Sequence, residues 1–520
     1  MPLNIQPYHA FPHLPKGAFQ SCIDDIIATI SCYFNRDYHL MYSNMWQFNY
    51  TKNADISFAQ RFSGDLNGEL DLLEKYHGIR IEYHESIKLN ELLEISEDEI
   101  SNGYPVITMF DSYYNSWDPF YNKLHNKHAC LITGINKKNK TVYITDPYFE
   151  KVNEEVPFQI LERASEYYGL IKLLDNNPTI DLEKLLISKS EDFIRDNGMK
   201  AFISDISDQW SDDLSFLWDR TNERDFWVSD FYQTFKNQII LKRHKFITII
   251  DFYKKRSPSK LLDDLIDEYT FIINFWEMFI NMLTKSAFLV NQKQGLKENI
   301  VAKISEAAQL ETSLAQKIIE NASPRDSLSS KVDLEKKNNK PCDYVQINLQ
   351  SYLNNKGFSY LLSATVEADL TGAGEYLLMD KPMNNNLFID EIPLFFPEIA
   401  QSKYDNVSCT GQMILFPQNS YKKVILMWCS EWGDSAGYIT INYSNGQSNR
   451  HGFSLSDMSL QPQFNERIAL PVKCVLKESL NTKDAYLFLT KFNLNSENEV
   501  SSIQLPNSPN VHVFAMSLEV

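Results

Sequence analysis

The spacing of apolar residues changes twice along these 520 residues, and those changes set what the chain can fold into. Up to about residue 175 two patterns alternate. Ile23, Ile26, Ile27 and Ile30 recur at i, i+3, i+4, i+7, the face of a helix, whereas "IRIEYH" (79–84), "YPVITMF" (104–110), "HACLITGI" (128–135) and "TVYITDP" (141–147) are short β-rich runs. From 176 to 335 the period is helical throughout, in "LEKLLISKSEDFIRD", "HKFITIIDFYKK", "LLDDLIDEYTFIINFWEMFINMLTK" and "IVAKISEAAQLETSLAQKIIE". The aromatics Phe271, Phe275, Trp276 and Phe279 read as bundle core. Beyond the polar linker "SPRDSLSSKVDLEKKNNKPCD" (323–343) come short alternating strands such as "YKKVILMWCS", "AGYITINYSNG", "AYLFLTKF" and "VHVFAMSLEV". The expected architecture is a multidomain α+β chain: a catalytic-looking α+β domain at 1–175, a helical domain at 176–335 and a β-sandwich at 344–520. Its length suits about three domains of roughly 100–200 residues each.

Composition narrows the function. With 50 Lys and Arg against 68 Asp and Glu the formal charge is -18, which disfavours binding to nucleic acid or an anionic membrane, where phosphates must be neutralised. Two basic runs, "LKRHK" (241–245) and "KKR" (254–256), read as solvated helix faces or a small docking patch. No secretory signal and no uninterrupted apolar run of membrane-spanning length is visible, so a cytoplasmic protein is expected. The seven cysteines, Cys22, Cys32, Cys130, Cys342, Cys409, Cys429 and Cys474, form no CxxC pair and no zinc-type Cys/His cluster. They read as reduced thiols, and neither a metal nor a resident cofactor is expected.

One cysteine stands apart. In "GAFQSCIDDIIATISCYF" (17–34), Cys22 sits where the helical period begins, so free backbone N–H groups and the helix dipole favour its thiolate and can hold an oxyanion. Asp24 and Asp25 fill the first turn, and their charge opposes thiolate formation. Cys32, ten residues on, faces elsewhere. "NKHACLITGINKKNKTVYITDPY" (126–148) reads as a β-hairpin in which His128 opens the first strand and Asp146 closes the second, nearly opposite one another. A carboxylate there fixes the imidazole tautomer that accepts a thiol proton and stabilises the imidazolium formed. Cysteine on an early helix, histidine on a later strand and aspartate on the next is the order of papain-like thiol enzymes. The predicted catalytic residues are Cys22, His128 and Asp146. Gln20 is a candidate side-chain donor to the oxyanion, His125 is a competing base without a strand partner, and Cys130 points the same way as His128 as a core thiol.

On these residues the chain resembles the butirosin-biosynthesis H protein family, a papain-like fold related to the peptidases that trim double-glycine bacteriocin leaders. The matching features are the Gly-x-Pro-Val strand, the Asp-x-Tyr-Tyr segment, the strand-opening histidine with its following glycine, the closing Asp-Pro, and "FQSCIDDIIATI" for the cysteine helix. They cover about residues 10–170, and "NGMKAFISDISDQW" and "LKRHKFITIIDFY" extend the likeness. Between Arg36 and Phe62 the chain lacks that family's Glu and Gly-rich stretch. The resemblance implies an acyltransferase of natural-product biosynthesis: an acyl or peptidyl carrier protein supplies a phosphopantetheine thioester, and Cys22 passes its acyl group to an amine or hydroxyl acceptor. A cysteine protease or amidase would use the same three residues, and a non-catalytic metabolite-binding scaffold is a third possibility. The last segment, with "INLQSYLNNKGFS", "LTGAGEYLL", "IPLFFP", "DNVSCTGQMILFP" and "SEWGD", resembles jelly-roll, galactose-binding-type sandwiches. That implies a possible carbohydrate partner, with Trp428 and Trp432 read either as a stacking platform or as core.

Overall fold

The computed structural model describes residues 2–12, 21–62, 66–85, 88–175, 180–210, 229–288, 296–321, 343–379, 385–397, 399 and 402–520. Helix α1 (Cys22–Tyr33) begins where Ser21 turns the chain from extended to helical. The Ser21 hydroxyl accepts from the Asp24 N–H at 3.4 Å, and its carbonyl accepts the first intrahelical bond from Asp25 at 3.0 Å. Ile26, Ile27 and Ile30 are buried as their spacing predicts. Helices α2 (Leu66–His77) and α3 (Leu89–Ser101) flank β1 (Ile79–Glu85) in sequence. After them come β2 (Val106–Asp111), β3 (Lys127–Asn136), β4 (Thr141–Asp146), β5 (Lys151–Pro157), the short helix α4 (Phe158–Ala164) and β6 (Ser165–Leu173). These strands form one antiparallel sheet in the order β1-β6-β2-β3-β4-β5, and α1 packs against β3.

The four expected β runs are β1 to β4. Strand β5 carried no recognisable signal because it is an edge strand with one buried residue, Val156, so "KVNEEVP" shows no apolar alternation.

The helices that follow are α5 (Leu182–Arg195), α6 (Gly198–Gln209), α7 (Asp230–Phe235), a π-helical turn at Lys236–Leu241, α8 (Lys242–Arg256), α9 (Lys260–Phe288) and α10 (Leu296–Asn321). They have no core separate from the N-terminal segment. Ile26, Ile27, Trp46 and Phe48 belong to the same buried cluster as Phe246, Trp276, Phe279 and Ile304.

The basic run at 241–245 is where expectation and structure part. Lys242, Arg243, His244 and Lys245 are all buried, neither a solvated face nor a docking patch. Arg243 forks onto Glu311 at 2.7 and 2.9 Å, and Glu311 also accepts from the indole N–H groups of Trp46 (2.9 Å) and Trp276 (2.5 Å). Lys245 lies 2.9 Å from Glu69 and 3.1 Å from Asp24, on the first turn of α1. The carboxylates that neutralise the run are distant in sequence, so local charge counting could not reveal its burial. The second run, Lys254 to Arg256, pairs with Asp263, Asp251 and Asp37 at the surface.

Residues 343–520 form an eight-stranded sheet against a four-stranded one. Strand Lys423–Ser430 shows how the larger sheet buries both faces. Val424, Leu426 and Trp428 enter the core between the sheets, while Ile425, Met427 and Cys429 meet Phe358, Leu394 and Phe396 on the other side. Trp428 is fully buried, and its indole N–H donates to Thr490 at 2.9 Å, so it is core rather than a stacking surface. Helix α9 ties the sandwich to the rest: Phe271 meets Tyr438 with centroids 5.2 Å apart, Asn274 donates to Ser454 at 3.1 Å, and Lys285 pairs with buried Glu431. The linker read at 323–343 lies, Asp343 apart, outside the described residues. Among the described residues no helix is long and apolar enough to cross a membrane.

Candidate active site

Cys22 is the first residue of α1 and half-buried. Ser21 takes up the N–H groups of Asp24 and Asp25, so those of Cys22 and Ile23, which have no intrahelical acceptor, are the donors a helix start offers to an anion beside the thiol. Both first-turn carboxylates are engaged. Asp24 accepts from the Tyr42 hydroxyl at 2.8 Å and faces Lys245, whereas Asp25 accepts from the Ala10 N–H at 2.8 Å and lies 3.1 Å from His9. The negative charge expected to oppose a thiolate is thus largely neutralised by groups outside the helix.

His128 is the second residue of β3 and faces the interior. Its Nε2 lies 2.8 Å from Asp146 Oδ2. The pairing is diagonal rather than directly across: Leu131 opposes Thr145 before a bulge at 132–134, which sets Asp146 level with Cys130 and His128 one same-face position further on. With Nε2 committed to the carboxylate, Nδ1 is the nitrogen left for the thiol, and Cys22 is among the groups that favour the charged ring. Burial works against the imidazolium, but the bond it donates to Asp146, together with the sulfurs of Cys130 and Cys22, outweighs it and holds His128 well above the ordinary histidine value. Burial likewise opposes ionisation of Asp146, yet His128 and the Trp117 indole hold it below its usual range.

One residue here, Trp117, went unrecognised in the sequence, and Cys130, buried as expected of a core thiol, makes a contact the sequence did not suggest. The Trp117 indole donates to Asp146 Oδ2 at 2.7 Å, and the Cys130 thiol donates to the same oxygen at 3.6 Å, while Oδ1 accepts from the Phe149 N–H at 3.3 Å. Trp117 lies in the β2–β3 connection, where spacing carries no message. The only sequence signal was chemical: an indole is a donor that needs an acceptor when packed. Tyr148 and Phe149 close over His128 with ring centroids 5.6 and 5.2 Å away.

The structure brings Cys22, His128 and Asp146 together and separates His125 from them. His125 is exposed and, contrary to the expectation that it has no strand partner, pairs with Asp111 at the end of β2 at 2.6 Å. Gln20 lies outside the described residues. Donor atoms of His128, Cys130 and Asp146 all fall within 4.8 Å of one another, near enough for a soft cation. Such a cation would have to displace the proton shared by His128 and Asp146 and that of Cys130, whose thiol burial pushes up to about 12. The arrangement suits proton transfer from a thiol better.

Residues 27–172 match the model of the Peptidase_C39 like family, a stretch that holds His128 and Asp146 and begins after Cys22, and residues 343–520 match the AziU2-like beta-sandwich domain. No curated protein matches the chain. The molecule therefore joins a papain-like, Peptidase_C39-like N-terminal domain, through a set of helices, to an AziU2-like β-sandwich.

Proposed function

We propose that the chain is a thiol acyltransferase of the butirosin-biosynthesis H protein kind, working in natural-product biosynthesis on an acyl group delivered by a carrier protein. The observation that carries this is the line from Cys22 at the helix start through His128 to Asp146. His128 takes the Cys22 proton, and the sulfur attacks the phosphopantetheine thioester. The tetrahedral oxyanion is held by the Cys22 and Ile23 N–H groups, and the pantetheine sulfur leaves with the proton from His128. An amine or hydroxyl then attacks acyl-Cys22, His128 accepts its proton, and the Cys22 thiolate departs. Thioester exchange between two thiols is nearly balanced in energy, which suits a cysteine to the first half-reaction. Burial of His128 and Asp146 limits water at the base and so favours transfer over hydrolysis.

A second reading is peptide cleavage, favoured by the Peptidase_C39 like match. Intact-mass spectrometry after incubation with acyl-loaded carrier proteins separates the two. Transfer predicts an acyl adduct on the wild-type chain that is absent from Cys22→Ala and discharged by an added amine. An adduct that persists in Cys22→Ala removes the nucleophile assignment. Cleavage of a double-glycine leader peptide without any adduct from loaded carriers establishes the peptidase.

A further inference from the structure

The extended residues 2–12 lie over the two elements that carry the candidate nucleophile and base. Leu3 donates to Thr133 of β3 at 2.8 Å, and Tyr8 and Thr29 of α1 exchange hydrogen bonds at 2.9 and 3.2 Å. Next to the second anchor, His9 places both ring nitrogens against carboxylates from different elements. Nδ1 lies 3.1 Å from Asp25 Oδ2 on α1, and Nε2 lies 3.1 Å from Glu150 Oε1 in the turn after β4. That turn starts at Asp146 and carries Tyr148 and Phe149, the rings closed over His128, and the Glu150 N–H donates to Pro147 at 3.2 Å. A carboxylate can only accept, so a neutral imidazole satisfies one side and only the imidazolium satisfies both.

We propose that His9 is a positioning residue: as imidazolium it clasps the Cys22 helix to the turn that holds Asp146 and covers His128, and so sets the approach of thiol to base. The proposal rests on the assignment of Cys22 and His128 as nucleophile and base. The charged groups facing His9 are Asp25 from α1 and Glu150 from the turn; Asp24, beside Asp25, faces Lys245 and Tyr42 instead. Partial burial works against the charged ring, and the bonds to Glu150 and Asp25 outweigh it, so His9 stays charged above the usual histidine value of about 6.5. Glu150 is half-exposed, so its side of the clasp is the one that salt weakens.

Two measurements on the full chain test this. In ¹⁵N-histidine NMR the His9 signal, identified by its loss in His9→Phe, should titrate above about pH 6.5, and it should move toward that value in Asp25→Asn and in Glu150→Gln. An ordinary midpoint that neither variant shifts overturns the clasp, whatever Cys22 does. The second readout is iodoacetamide alkylation of Cys22 across pH. His9→Gln should label roughly ten- to a hundredfold more slowly near neutral pH, the loss shrinking as pH rises through the His9 titration. His9→Arg, a permanent cation able to donate to both carboxylates, should keep the wild-type rate at neutral pH. Equal rates and pH profiles in His9→Gln and wild type overturn the positioning role. A wild-type Cys22 no faster than a free thiol instead refutes the nucleophile assignment, and the NMR titration alone then decides the clasp.

Discussion

At the scale of single residues, Asp146 carries most of the weight, since one of its oxygens accepts from Trp117, His128 and Cys130 together. Asp146→Asn should abolish acyl transfer and cost about 3 kcal/mol of stability at neutral pH, because it leaves a buried histidine without its counter-charge. The pH dependence follows from the two directions. Asp146, held below its ordinary value, stabilises the fold above about pH 4, and that stabilisation is lost as pH falls through its folded value. His128, held above its ordinary value, stabilises most below about pH 6.5, and its contribution is lost only as pH rises through its higher folded value. Urea unfolding of wild type and Asp146→Asn should therefore differ most between about pH 4 and 6.5 and converge toward pH 2. A constant difference would mean that the pair is not ionised in the native state. Trp117→Phe keeps the ring and removes one donor. Its transfer rate should fall about tenfold with little loss of fold, whereas His125→Ala should leave the rate unchanged.

Among the elements, the nucleophile helix and the β3–β4 hairpin were legible in the sequence because each declares itself locally, by a 3.6-residue apolar period and by two apolar runs about a polar turn. Strand β5 and the buried run at 241–245 were not, since edge exposure and ion pairing with Glu311, Glu69 and Asp24 depend on partners far along the chain. The start of α6 illustrates the same limit. A Cβ on Gly198 would lie 1.7 Å from the Phe48 carbonyl oxygen, a contact no spacing rule reveals. Gly198→Ala should destabilise by about 3 kcal/mol or more, read from the urea midpoint at unchanged slope. At the seam between α9 and the sandwich, Lys285→Met removes the partner of buried Glu431, whose carboxyl burial already pushes up to about 8, so at neutral pH the acid takes up a proton and the loss should be about 1–3 kcal/mol, measurable by thermal unfolding. Restoring most of that loss with Glu431→Gln in the same chain would show that the cost is electrostatic.

Across the whole molecule, three sequence textures become two main packing units. Helix α1 and the helices from α5 to α10 share one core, a second cluster around Phe110, Ile132, Ile144 and Leu161 fills the other face of the N-terminal sheet, and the sandwich keeps its own clusters on either side of its larger sheet. The change of period at 344 accompanies a change from helices to strands, because the two cannot share a hydrophobic period. The change near 176 marks only a change of element type, because those helices bury their apolar faces against the N-terminal segment and reach the nucleophile helix through Lys245. Of the site, Cys22, His128 and Asp146 were readable as an order of residue types. Trp117 and His9 join them only through folding, on a connection and an arm whose spacing carries no chemistry, and Cys130, legible as a core thiol on the His128 face of β3, gave no sign of its bond to Asp146. The central claim, that Cys22 is a nucleophile served by His128, is tested most directly by the rate of iodoacetamide alkylation at Cys22 near pH 6.5 in wild type and His128→Ala. Labelling should be at least about a hundredfold faster than that of a free thiol in wild type and fall to the free-thiol rate in His128→Ala. Equal rates in the two proteins would contradict it.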